Sequence, residues 1–258
     1  MQYQTIRLSY RNDIAVVTLN RPEVMNALNT QMRAEIQHAV KEAGTQARVL
    51  VITGKGRAFC SGQDLGDRAT AGSVDLERTL RDEYEPMLRE IFDCPIPTIA
   101  AVNGAAAGAG ANLALAADVV IAAEGAVFLQ AFTRIGLMPD AGGTYWLPRQ
   151  VGFARAMGAA LFADAVSAKQ AAEWGMIWEA VPDDEFADHW NARALKLASG
   201  PTVAYRNIKT ALRGSFENSL EDQLNLEAHL QGECGNTRDF KEGVLAFVEK
   251  RPAKFEGR

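Results

Sequence analysis

Between Asn103 and Leu113 the chain carries little but glycine and alanine: Gly104-Ala-Ala-Ala-Gly108-Ala-Gly-Ala111. An apolar segment, residues 97–102, precedes it and reads as a buried strand of a parallel sheet. Residues 113–117 follow and read as helix. A turn of tiny residues therefore joins a core strand to a helix start. With no side chains in the way, the unpaired N–H groups of a helix N-terminus face outward with the positive end of the helix dipole. Such a turn suits a phosphate or a developing oxyanion, and equally suits plain close packing of helix on strand. The stretch alone leaves both open. Its spacing is neither G-x-G-x-x-G after a first strand nor a Walker loop, which argues against a nucleotide phosphate.

The rest of the chain supports an α/β fold. Residues 6–10 and 14–19 form a hairpin around Arg11-Asn-Asp13. Asn29 and Thr30 cap a helix over 31–43, with Met32, Ile36 and Val40 on one face. Residues 49–53 read as a short buried strand that runs into Gly54-Lys-Gly-Arg57, and Ser61-Gly-Gln63 marks a second glycine-containing loop at a strand end. Residues 66–75 read as a mobile loop or lid. Residues 76–92 read as a helix kinked at Pro86, and 119–123 as another strand. Beyond residue 130 the pattern is mostly helical. It includes a capped helix over 167–173, a strand over 177–181, and four helices over 185–198, 202–212, 219–231 and 237–249. The division expected is an α/β core over 1–195 and a helical region over 196–258. The last helices carry one-sided apolar stripes, Leu220, Leu224, Leu226 and Val244, Phe247, Val248. They must bury against the core or against another copy, so an oligomer is expected.

Composition excludes several classes of partner. A net charge of −5 argues against nucleic acid or an anionic membrane surface. Cys60, Cys94 and Cys234 are few and scattered, which suggests a reducing compartment and neither a disulfide framework nor a metal cluster. His38, His189 and His229 lie in polar helical surroundings, as solvated residues do. No apolar run approaches a membrane span and Met1-Gln-Tyr-Gln has no signal-like core, so the cytoplasm is the default.

The two strand-end loops, Ser61-Gly-Gln63 and Gly108-Ala-Gly110, are expected on one side of the sheet, where one N–H from each can hold a carbonyl oxygen. Asp140, in Gly136-Leu-Met-Pro-Asp140-Ala-Gly-Gly-Thr, supplies a carboxylate in apolar surroundings. It has two candidate roles. Preceding Ala-Gly-Gly-Thr, it suits a helix N-cap, which would lower its pKa; burial beside Leu137, Met138 and Pro139 would raise it and suit a base.

Taken together, the motifs resemble the crotonase (enoyl-CoA hydratase/isomerase) superfamily from end to end. They are Leu19-Asn-Arg-Pro-Glu with Asn26-Ala-Leu, Gly56 through Leu65, Val102 through Leu113, and Gly136 through Pro148. The resemblance implies a core of repeated ββα units with a helical C-terminal region that trimerises, as a homotrimer or homohexamer. It implies acyl-CoA thioester substrates and no resident cofactor or metal, coenzyme A arriving as part of the substrate. By position the oxyanion hole falls to the N–H groups of Gln63 and Ala109, the latter standing where the family usually has glycine. Contacts to substrate or coenzyme A fall to Ala27, Asp64, Leu65, Gly66, Asn112 and Phe132. Phe132, Leu137 and Trp146 either line an acyl pocket or pack the core, and Asn112 either meets the acyl group or packs.

The base positions discriminate among reactions. Hydratases of the superfamily carry two glutamates, and the matching positions here are Asn112 and Phe132, neither able to take a proton. Asp140 remains, at a position where isomerases and dehalogenases of the superfamily place an aspartate. The dehalogenase pattern wants Trp at 132 and a nearby His, and no His occurs between residues 39 and 188. The motifs match most closely the branch that isomerises ring-epoxidised phenylacetyl-CoA. The expectation is an acyl-CoA isomerase working through Asp140, the alternatives being a hydratase or an acyl-CoA-binding subunit without catalysis.

Overall fold

The computed structural model describes residues 2–66 and 75–258. The hairpin is as expected: β1 (Ile6–Arg11) pairs antiparallel with β2 (Ile14–Leu19), and Asn12 and Asp13 take the left-handed conformation a tight two-residue turn demands. Asn29 accepts a bond from Met32 N and so caps α1 (Thr30–Gln46), which starts one residue before the sequence predicts. The next strands come in pairs. β3 (Val49–Gly54), β5 (Thr98–Val102) and β7 (Val119–Ala123) lie in a six-stranded sheet, order β1-β2-β3-β5-β7-β10, with β10 at Glu179–Val181. After each of the three, the chain turns into a second, four-stranded sheet through β4 (Ala58–Cys60), β6 (Ala105–Ala107) and β8 (Val127–Leu129), completed by β9 (Val166–Ser167). This is the repeated ββ step that the resemblance implies.

The large sheet is buried on both faces, which is why its strands read as continuous apolar runs. Leu50 and Ile52 of β3 face α1 and the main core. Val49 and Val51 face the other way, onto Phe186, Ala194 and Ala198.

One expectation needs correction. The glycine–alanine stretch is not one turn: it contains β6, and its helix, α3 (Ala109–Leu115), begins inside the stretch rather than at Leu113. The helix over 76–92 forms as the sequence predicts, running from Leu76–Thr79 through a π-turn at Leu80–Tyr84 into α2 (Glu85–Phe92). Pro86 has no N–H to close an α-helical bond onto Asp82 O, and the π-turn stands at that point in place of plain helix. The loop over 66–75 lies, apart from its ends, outside the described residues.

Beyond β8 come a 3-10 turn (Ala131–Ile135), α4 (Gly143–Val151), α5 (Phe153–Phe162) and α6 (Ala168–Glu173). Four helices close the chain: α7 (Phe186–Ala198), α8 (Thr202–Gly214), α9 (Leu220–Gly235) and α10 (Arg238–Glu249). The apolar stripes of the last two are not buried within one chain, since Leu220 is 76% and Phe247 85% exposed. Among the described residues no helix is long and apolar enough to cross a membrane.

Candidate active site

The two loops predicted to share a side of the sheet do so, and they touch. A Cβ added to Gly62 would lie 2.7 Å from Ala107 O and 3.3 Å from Ala109 N. One added to Gly110 would lie 2.2 Å from Cys60 O, so only glycine lets α3 start this close to the neighbouring loop. Gly108 takes the positive φ of the turn at 52° and leaves Ala109 in ordinary helical geometry, which explains why alanine serves there.

Ala109 is the first residue of α3, where an N–H has no partner within the helix. Gln63 pairs with Leu28 in a parallel bridge: Leu28 N donates to Gly62 O at 2.7 Å and Asp64 N to Leu28 O at 3.1 Å. That pattern points the Gln63 N–H away from Leu28.

Gln63, Leu65, Ala109, Phe132, Tyr84 and Asp140 line one cavity of about 490 Å³. Asp140 is its one carboxylate among the described residues. A second cavity of about 840 Å³ shares Leu76, Leu80, Tyr84, Leu137 and Asp140 with the first and continues to Phe92, Tyr145 and Trp146. Asp140 therefore stands where the two cavities meet. The three aromatic rings form a cluster, with centroids 5.3 Å apart for Phe92–Trp146 and 4.8 Å for Tyr145–Trp146. Phe132 and Leu137 line the smaller cavity and Trp146 the larger, so the side chains expected to pack or to line a pocket do some of each.

Asp140 is not the N-cap residue of the helix that follows it. The N-cap of α4 is Gly142, two residues beyond Asp140. Asp140 Oδ1 is shielded from solvent, and its main-chain carbonyl accepts from Gly143 N at 2.9 Å. Asn112 does not reach the cavity. It is fully buried behind Asp140, its Nδ2 donating to Asp140 O at 2.7 Å and its Oδ1 accepting from Gln130 Nε2 at 2.8 Å.

Ala27, Asp64 and Gly66 lie beside the cavity rather than on it. Arg21 joins the first two, donating to Ala27 O at 2.6 Å and pairing with Asp64 at 2.8 Å, while Gly66 N donates to Asp64 Oδ1. Arg251, near the C-terminus, is held in a fork by Glu242 at 2.6 and 2.9 Å. Among the described residues no three His, Cys, Asp or Glu side chains gather as a metal site.

The sequence reading missed Arg33 and Tyr84. The Arg33 guanidinium, 2% exposed, bonds Leu28 O at 2.7 Å, Gln63 Oε1 at 3.2 Å and Glu83 at 2.9 Å, and Tyr84 O–H donates to the same Gln63 oxygen at 2.5 Å. Together they fix the segment that carries the Gln63 N–H. Burial above all pushes the Tyr84 phenol above its ordinary range; Arg33 opposes this and the Asp140 charge adds to it. The phenol thus remains a neutral donor. One signal was available: Arg33 stands three residues before Ile36 and seven before Val40, a charge on the apolar stripe of α1.

Comparison with known proteins identifies the family. The family model described as enoyl-CoA hydratase/isomerase matches residues 9–258. A Rhodobacter capsulatus protein named "Probable enoyl-CoA hydratase" is 63% identical over 258 residues, covering 100% of both chains. The Escherichia coli 1,2-epoxyphenylacetyl-CoA isomerase is 46% identical over 250 residues, 95% of each. The crystal structure of an enoyl-CoA hydratase from Bacillus anthracis superposes with a TM-score of 0.92 at 32% identity, covering 99% of this chain and 100% of that one. The chain belongs to the enoyl-CoA hydratase/isomerase family and has the crotonase fold.

Proposed function

We propose that this protein is an acyl-CoA isomerase that removes a proton from the carbon next to a thioester carbonyl and returns one elsewhere. The reading rests on one observation: among the described residues the cavity holding the Gln63 and Ala109 main chain holds a single carboxylate, Asp140, and no acid stands at 112 or 132. The two N–H groups take the thioester oxygen, Asp140 takes the α proton, and the electron pair moves into an enolate that the N–H groups stabilise. For a 3-enoyl-CoA, Asp140 returns the proton to the γ carbon, which leaves a 2,3 double bond. For ring-1,2-epoxyphenylacetyl-CoA the same removal and return accompanies cleavage of the carbon–carbon bond shared by the epoxide and the six-membered ring, which expands around the oxygen to the oxepin. The larger cavity, with Phe92, Tyr145 and Trp146, supports an aromatic or extended acyl group beyond Asp140.

Hydration is the second reading, favoured by the name of the R. capsulatus relative. It needs a group to deprotonate and orient water while another protonates carbon, and one carboxylate serves this poorly. The test is turnover of the epoxide, a 3-enoyl-CoA and crotonyl-CoA by the purified chain. Isomerisation of the first two with negligible water addition to the third is expected; hydration of crotonyl-CoA as fast as isomerisation contradicts the proposal. The exposed stripes of α9 and α10 support assembly as a trimer or hexamer, and the sparse cysteines support a reducing compartment such as the cytoplasm.

A further inference from the structure

Asp140 precedes two consecutive left-handed residues, Ala141 at φ 48° and Gly142 at φ 82°. The left-handed region costs alanine energy through its Cβ, so a turn of this kind persists only where its surroundings enforce it. What enforces it here is a chain of buried amides. Asn112 Nδ2 and Gly143 N both donate to the Asp140 carbonyl, at 2.7 and 2.9 Å. Gln130 Nε2 holds the Asn112 Oδ1 at 2.8 Å. The Asn112 amide has one workable orientation, because a flip would set its oxygen against the Asp140 carbonyl oxygen and its NH₂ against that of Gln130. Gly143 closes the third side: a Cβ there would lie 2.4 Å from Asn112 Nδ2.

Asn112 is 0% and Gln130 4% exposed. Gln130 Oε1 is buried with no hydrogen-bond partner among the described residues, which makes glutamine a costly choice where leucine or methionine would fill the space. Its remaining amide group is what it contributes.

We propose that Gln130 and Asn112 are positioning residues for the proton transfer: they lock the Asp140 carbonyl, and through it the left-handed turn that aims the Asp140 carboxylate into the cavity. This rests on the reading of Asp140 as the base. Neither residue touches substrate. Their removal leaves the oxyanion donors and the acyl cavities intact, so it lowers kcat and spares KM.

The experiment compares wild type with Gln130→Leu, Asn112→Leu, Asn112→Asp and Asp140→Asn, using a 3-enoyl-CoA and thermal melting to confirm folding. Gln130→Leu and Asn112→Leu are expected to lower kcat on the order of 100-fold, as a mis-aimed base does, with KM within about threefold. Asn112→Asp gives a readout that loss of packing would not. Burial raises the pKa of the new carboxyl. While protonated it donates to the Asp140 carbonyl and accepts from Gln130, as asparagine does; once ionised it repels that carbonyl. Its kcat is expected near wild type at low pH and to fall toward high pH in a way wild type does not. Should either leucine variant fail to fold, the pH profile of Asn112→Asp decides. Wild-type kcat in the folded leucine variants, or a wild-type pH profile in Asn112→Asp, overturns the lock while loss of turnover in Asp140→Asn keeps the base. Full turnover in Asp140→Asn overturns both.

Discussion

Ala109 carries half of the proposed oxyanion hole with a group that no ordinary side-chain substitution removes. Its position offers an exception, because the first residue of a helix is where proline is tolerated: the N–H lost there has no partner in the helix, and φ already suits the ring. Ala109→Pro therefore deletes the donor and spares α3. The expected loss is about 3 kcal/mol of transition-state stabilisation, or 10²- to 10³-fold in kcat, with little change in melting temperature. Steady-state kinetics and a melting curve check both halves, and wild-type kcat in a folded variant removes Ala109 from the oxyanion hole. That Asp140, Gln63 and Ala109 share one cavity was legible in the sequence, Asp140 from its own motif and the other two through the family resemblance. Asn112, Gln130 and Arg33 were legible only as residues. Their partners are main-chain atoms far along the chain, such as Asp140 O for Asn112 and Leu28 O for Arg33.

At the level of elements, what announced itself was what has a period or a cap. The hairpin, β3, β5 and β7 came within a residue or so of their predicted bounds because buried parallel strands are short unbroken apolar runs. The C-terminal helices came nearly as close, through stripes and through Ser219 and Thr237, which cap α9 and α10. The second sheet stayed hidden. Its strands span two or three residues, too few to show alternation, and β6 is three alanines with no preference for extended structure. Long-range pairing makes them strands. The π-turn at Leu80–Tyr84 was hidden for another reason: Pro86 announces a disturbance of the helix but not its form, and the structure takes it up as a widened turn whose Leu80 and Tyr84 line the cavities.

The molecule as a whole places its candidate site at strand ends, where loops from two sheets converge. It also leaves apolar surface that a single chain does not cover. Leu220, Phe247 and Val248 are each more than 70% exposed, and so are Phe153 and Phe162 of α5. Sedimentation is expected to give three or six times the mass of one chain; a stable monomer contradicts assembly. The central claim concerns one proton. The most direct measurement follows deuterium from heavy water into the α carbon of an acyl-CoA that has no double bond to move. Wild type is expected to wash deuterium in, and Asp140→Asn to bind the thioester without exchanging that proton. Exchange at the wild-type rate by the asparagine variant would contradict the account.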